Sequence, residues 1–145
     1  MNGKRMLVAA LAAGSVAMVS VATLAAAAGK PEASRVVARG KYLVEQVAMC
    51  TDCHSPRDGK GEFVRERWLQ GAPLGFKNTV PMPAWAEVAP PLAGLPGWTE
   101  AQVVTLLTTG KDQKGEPPEP PMPPYRMSKE DATAVAAYLA SLGKK

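Results

Sequence analysis

Cys50-Thr51-Asp52-Cys53-His54 holds the chain's two cysteines and its one histidine within five residues. This spacing is an attachment signal for a covalently bound c-type haem. Two intervening residues put both sulfurs where they can reach the two vinyl groups on one side of a porphyrin. The next residue, His54, then falls beneath the ring, where its imidazole can ligate iron. On this reading the chemistry belongs to the haem iron and the chain sets its environment.

Other uses of the same residues fit less well. Structural zinc usually takes four Cys or His ligands, and here three stand together. A thioredoxin-like Cys-x-x-Cys should sit beside a strand–helix–strand unit, and the sequence reads as none. A disulfide across so tight a loop would staple little chain. Two cysteines that merely pack in the core would leave the adjacent histidine as coincidence.

The N-terminus agrees with export. Lys4 and Arg5 form a short basic start, Met6 to Ala28 carries no charge, and Ala26-Ala27-Ala28 is a small-residue cleavage pattern before Gly29. The expectation is a signal peptide over residues 1–28, a mature domain over 29–145 and a periplasmic location. An uncleaved membrane anchor is the alternative, since the apolar run is long enough to span a bilayer, although it is mostly alanine with Gly14, Ser15, Ser20 and Thr23 interrupting it.

Charge excludes little but points away from nucleic acid. Lys4 and Arg5 supply two of 17 basic residues, so without them 15 face 13 acidic ones. No basic block is interleaved with aromatics, as nucleic-acid binding would want. Basic residues do gather around the motif: Arg35, Arg39 and Lys41 before it, Arg57, Lys60, Arg65 and Arg67 after it. They read either as a solvated face relieved by Glu45, Glu62 and Glu66, or as a rim that speeds encounter with an acidic redox partner.

Three main helices are expected. Ala33 to Met49 shows apolar Val36, Val37, Leu43, Val44 and Val47 against polar Arg35, Arg39, Lys41 and Glu45. Gly40 interrupts it, and a glycine there suits the close approach of another helix. Thr99 with Gln102 forms a capping box before Val103, Val104, Leu106 and Leu107, and Gly110 stops that helix. Ser128 with Asp131 opens the third, whose stripe is Ala132, Val135, Ala136, Leu139 and Leu142, with Tyr138 beside it and Gly143 at the end. Arg57 to Gly61 reads as a turn. Phe63 to Trp98, rich in Pro and Gly, reads as irregular chain that a cofactor would let wrap around itself. No strand and no internal repeat is expected.

With one histidine, a six-coordinate iron would need a different second ligand, and methionine is the natural one. Met49 adjoins Cys50 and belongs to the histidine side, which leaves Met82, Met122 and Met127. Met122, in Pro121-Met122-Pro123 between two helices, leads, because proline stiffens the loop that presents a weak neutral thioether. Met82 has the same Pro-Met-Pro setting and comes second. Each could instead be a flexible core filler.

These segments together resemble a class I c-type cytochrome of the bacterial periplasm. The resemblance covers residues 35–142 and rests on Arg39-Gly40-Lys41-Tyr42-Leu43-Val44, Cys50–His54, Pro56, Gly97-Trp98-Thr99-Glu100-Ala101-Gln102, Pro121-Met122-Pro123-Pro124-Tyr125 and Glu130 through Leu142. It is similar to the cytochrome domains that accompany periplasmic alcohol and aldehyde dehydrogenases. The resemblance implies a small all-α cytochrome c fold with three main helices and long loops around one covalent haem, and a crossing of first and last helices near Gly40 and Tyr138. It implies thioethers at Cys50 and Cys53, axial ligation by His54 and Met122, a role for Pro56 in holding the histidine loop, and Trp98 and Tyr125 lining the haem or reaching a propionate. It implies an electron carrier rather than an enzyme, working with redox partner proteins, and associated with a membrane only if the N-terminal segment is uncleaved. A fixed cytochrome subunit of a dehydrogenase or oxidase, or a ligand sensor with an open iron site, would use the same motif. One such motif is present, where dehydrogenase cytochrome subunits of this kind often carry three.

Overall fold

The computed structural model describes residues 32–143. The expected leader, 1–28, lies outside the described residues. Helix α1 spans 32–42 and continues as a wider π-helical turn, Leu43–Val47. The wider turn is closed by the Ala48 amide, which donates to the Leu43 carbonyl at 2.8 Å. It rotates Val47 off the apolar stripe, so that this residue is 54% exposed while Leu43 and Val44 are buried. Met49 then adopts the left-handed conformation, φ 51°. That reversal ends the first helix before Met49, against the sequence expectation, and starts a separate one-turn helix α2, Cys50–His54.

Helix α3, Glu100–Thr109, has the predicted ends. The Thr99 amide donates to Gln102 Oε1 at 2.8 Å, and the Gln102 amide to Thr99 Oγ1 at 3.3 Å. Gly110 takes the left-handed cap. Helix α4, Lys129–Ser141, begins where the Asp131 amide donates to Ser128 Oγ at 3.1 Å. Its Ala132, Val135, Ala136 and Leu139 are buried, with Tyr138.

The fold is thus mostly helical, with four helices where three were expected, the fourth being the Cys50–His54 turn itself. It also holds a small antiparallel ribbon that the sequence did not announce. Strands β1, Ala72–Pro73, and β2, Val88–Ala89, pair Ala72 with Ala89 and Pro73 with Val88. Two residues per strand are too few for alternation to register. The rest of 63–98 is loop with a 3-10 turn, Arg65–Arg67.

The core forms where α1, α3 and α4 meet. It contains Leu43, Val44, Val103, Leu107, Val135, Tyr138 and Leu139, with Leu69 and Leu95 supplied by loops. The crossing of α1 and α4 is set by Gly40. A Cβ there would strike the Ala134 carbonyl and lie 2.7 Å from Tyr138 Cβ. Two polar contacts flank this crossing. Arg39 Nε meets Asp131 Oδ1 at 3.0 Å, and Tyr138 donates its hydroxyl proton to Glu45 Oε1 at 2.6 Å.

Two loops share one local design. In Asp58-Gly59-Lys60-Gly61-Glu62 the Asp58 Oδ1 accepts from the amides of Lys60 (2.8 Å) and Glu62 (3.0 Å). In Asp112-Gln113-Lys114-Gly115-Glu116 the Asp112 Oδ1 accepts from Lys114 (2.8 Å) and Glu116 (2.9 Å). Asp side chains mimic a backbone turn in this way. The first loop follows His54 and the second precedes Met122.

Candidate functional site

His54 lies at the end of α2 and is 6% exposed. Its Nδ1 donates to the carbonyl of Pro90 at 2.7 Å. A histidine with one ring nitrogen held by a carbonyl has its tautomer and ring orientation fixed, and offers the other nitrogen as a ligand. Burial lowers its pKa, opposed by the Pro90 hydrogen bond, so the neutral, metal-binding form is favoured.

Three stretches of chain form the bed under this ring. The Gly71 amide donates to the His54 carbonyl at 2.8 Å, and the Leu69 amide to Ser55 Oγ at 2.9 Å. The Leu69 carbonyl in turn accepts from Leu92 (2.8 Å) and Ala93 (3.1 Å). Residues 54–55, 69–71 and 90–93 are therefore joined by hydrogen bonds. Gly71 is needed where they meet: its φ is 81°, and a Cβ would lie 2.8 Å from the Ala89 carbonyl. Pro56 is buried behind the motif, and its carbonyl accepts from Val64 at 2.9 Å. Ser55 and Leu69 were not singled out from sequence. A Ser between His and Pro carries no motif, and its role appears only with its distant partner.

Cys50 and Cys53 are free thiols, both partly buried. Burial pushes the Cys50 thiol up to about 11, and raises Cys53 as well. A thiol-exchange site would need the opposite shift. No group of three or more His, Cys, Asp or Glu side chains suited to a metal occurs among the described residues. Unlinked thiols, a buried imidazole oriented by a main-chain carbonyl and half-buried loop methionines fit a covalent haem.

Tyr125 joins the second half of the site to the first. It donates its hydroxyl proton to the Ala48 carbonyl at 2.9 Å, two residues before Cys50. Met122, three residues before Tyr125, is half-buried in a turn closed by its own amide to the Glu119 carbonyl at 3.2 Å. The adjoining Pro120 carbonyl accepts from Ala86 at 2.7 Å. Met82 is 40% exposed. Met127 packs against the helical core, its amide donating to the Leu107 carbonyl at 2.9 Å. Trp98 also packs against that core, in a turn whose amide donates to Leu95 at 3.0 Å. Tyr125, Met127 and Trp98 thus all pack against the core, and Tyr125 also reaches the segment entering the motif.

The basic residues near the motif are partly engaged. Arg57 stacks 3.7 Å from the Phe63 ring and pairs with Asp52 at 3.3 Å, while Arg65 lies over Trp68.

A sequence model of the family described as cytochrome c matches residues 37–143. The chain belongs to the cytochrome c family. Among similar proteins is a diheme cytochrome c-type protein of Cereibacter sphaeroides, 30% identical over 70% of this chain and 33% of its own length. Another is the cytochrome c subunit of a quinone alcohol dehydrogenase of Gluconobacter oxydans, 32% identical over 73% of this chain and 24% of its own. A third is the cytochrome c subunit of a gluconate 2-dehydrogenase of Pantoea cypripedii, 29% identical over 76% and 27%. The chain thus spans about a quarter to a third of the length of these relatives. Membership makes it a cytochrome c electron-transfer domain, and the family implies covalent haem c. No helix among the described residues is long and apolar enough to cross a membrane.

Proposed function

We propose that the chain carries one electron at a time through a single haem c attached at Cys50 and Cys53, with His54 and Met122 as its axial ligands, on the periplasmic side of a bacterial membrane. The observation that carries this reading is the His54 Nδ1–Pro90 hydrogen bond at 2.7 Å, which leaves Nε2 as the ligating nitrogen. The bound haem would supply reversible Fe(III)/Fe(II) exchange at a raised potential, as Met/His ligation favours. The chain's own residues hold and shield it. Pro90 orients His54, Ser55 and Gly71 fix the bed beneath it, and Tyr125 holds the Met122 loop against the segment entering Cys50. Met122 is supported over Met82 and Met127 because its turn is fastened on both sides, through Pro120 and Tyr125, while Met82 is exposed and Met127 is partly buried against the helical core.

The protein is then a carrier without a substrate site of its own, served by redox partner proteins through small, transient contacts. That named relatives are subunits of dehydrogenases favours a second reading, in which the same haem domain is a fixed subunit of such a complex. Gel filtration with candidate partners separates the two.

The test is the absorption spectrum of protein from an exporting host, oxidised and reduced, for wild type and Met122→Ala. We expect a c-type reduced band in both, and a weak long-wavelength methionine–iron band in the oxidised wild type alone. Survival of that band in the variant would transfer the ligand to Met82 or Met127. Its absence from wild type, with CO bound readily, would indicate an open iron site and a sensor. Protein without haem would refute the proposal.

A further inference from the structure

Asp52 stands between the two attachment cysteines and brings a negative charge to the single helical turn that carries both of them. Its side chain is exposed, and its Oδ1 accepts from Arg57 Nη2 at 3.3 Å. An exposed ion pair of this kind adds little stability, and holding an arginine still removes much rotamer freedom. Arg57 is nevertheless held on three sides. Besides the bond to Asp52, its Nη1 donates to the Gly61 carbonyl at 2.9 Å, and its guanidinium lies 3.7 Å from the centre of the Phe63 ring.

The chain that follows His54 is built around this hold. Arg57 and Phe63 face each other as a single antiparallel bridge. The turn between them is closed by the Asp58 amide, which donates to the Glu62 carbonyl at 2.8 Å, and by the Asp58 carboxylate, which takes the Lys60 and Glu62 amides. Phe63 packs edge-on to Trp68 at 5.3 Å, and Trp68 rests on the helical core. The guanidinium is thus braced from the core outward and presented to the carboxylate beside the cysteines. A brace that adds little stability at its outer end is accounted for by where it puts the charge.

That charge matters to electron affinity. A ferric haem carries one more positive charge than a ferrous haem. A lone carboxylate at the attachment site favours the ferric form, and a cation favours the ferrous form. Asp52 by itself would therefore work against the raised potential that methionine ligation favours.

We propose that Arg57 is a positioning residue for electron transfer: by fixing its guanidinium against Asp52 it cancels that carboxylate's charge at the attachment site and keeps the reduction potential high. The inference rests on haem attachment at Cys50–His54. One electron arrives from one redox partner protein and leaves to another, and no bond in the chain is made or broken.

The experiment is a potentiometric titration of haem-loaded protein at neutral pH and low salt, for wild type, Arg57→Gln, Asp52→Asn and the double variant. The readout is the ratio of ferrous to ferric protein at the wild-type midpoint. Arg57→Gln should lower this ratio about threefold, and Asp52→Asn should raise it by about the same factor. The double variant should return to the wild-type ratio, and both single shifts should shrink in high salt. Single variants that leave the ratio unmoved, or that move it in the same direction, overturn the proposal, as does a double variant that stays displaced. A lower unfolding midpoint in Arg57→Gln without these opposed shifts assigns Arg57 to structure alone and overturns it too. Asp52→Asn, a change at an exposed side chain, decides the matter if Arg57→Gln fails to accumulate. Wild type without covalent haem would overturn the functional reading itself, whereas haem-loaded variants with unmoved potentials overturn this inference alone.

Discussion

His54 and Pro90 meet at 2.7 Å across 36 residues of chain. The bond couples the helix that carries the motif to the far end of a Pro-rich stretch with little regular structure. What positions this carbonyl is the ribbon that precedes it, and what lets the ribbon approach is Gly71.

Gly71→Ala should therefore act at a distance. The left-handed backbone and the 2.8 Å approach to the Ala89 carbonyl leave no room for a methyl, and strain of this type costs about 1–3 kcal/mol. We expect a lower guanidinium midpoint by that amount, and, in haem-loaded protein, weakening of the methionine–iron band as His54 is displaced. An unchanged midpoint would mean that the ribbon yields freely.

Ser55→Ala removes the acceptor of a buried amide, that of Leu69. The loss should be about 1–3 kcal/mol, read from denaturant unfolding with an unaltered slope. Ser55→Thr, which keeps the oxygen, is the informative partner variant.

Gly40→Ala sets helix propensity against packing. Alanine gains about 1 kcal/mol of propensity, but its methyl meets the Ala134 carbonyl and Tyr138 Cβ. Overpacking of about 1–3 kcal/mol should prevail, giving net destabilisation. Gly59→Ala is the control. A Cβ there meets nothing within 4 Å, and stability should be unchanged or slightly raised.

Tyr138 carries a pH signature. Burial, with the hydrogen bond to Glu45, pushes its pKa from 10.0 up to about 12. The folded state thus favours the protonated phenol. Its contribution is fully present below pH 10 and declines as pH rises from 10 toward 12. The stability gap between wild type and Tyr138→Phe should narrow across that interval, as followed by denaturant midpoints at fixed ionic strength. A gap independent of pH would refute the assignment.

Tyr125→Phe deletes the hydroxyl bond to Ala48. A net hydrogen bond contributes about 0.5–1.5 kcal/mol. We expect a loss of that size together with faster amide exchange at Met122. Loss of stability without faster exchange would place Tyr125 in packing alone.

The helical part of this fold was open to reading because its signals are local. Thr99 and Gln102 lie three residues apart and cap each other, and Ser128, also three residues before its partner, accepts from the Asp131 amide. Gly40 was readable as a close approach because few other reasons place glycine within a helix. The ribbon, the Ser55–Leu69 bond and the His54–Pro90 bond were not readable, because each joins residues distant in sequence through main-chain atoms that every residue possesses. Val47 was misplaced by a turn widened by one residue, which shifts the helical period that the reading assumed. The Cys50–His54 constellation was legible as chemistry, while its separation as a helix of its own depended on the left-handed Met49.

The partners that hold the site have a bearing on how such a chain tolerates divergence. His54 is held by the Pro90 carbonyl, Tyr125 by the carbonyl of Ala48, and Ser55 holds an amide of Leu69. Each of these contacts has main-chain atoms on one side, and no side-chain replacement at position 48, 69 or 90 deletes a carbonyl or, proline apart, an amide. Half of every contact is thereby immune to ordinary substitution, and sequence can drift along the supporting loops while the imidazole keeps its bearing.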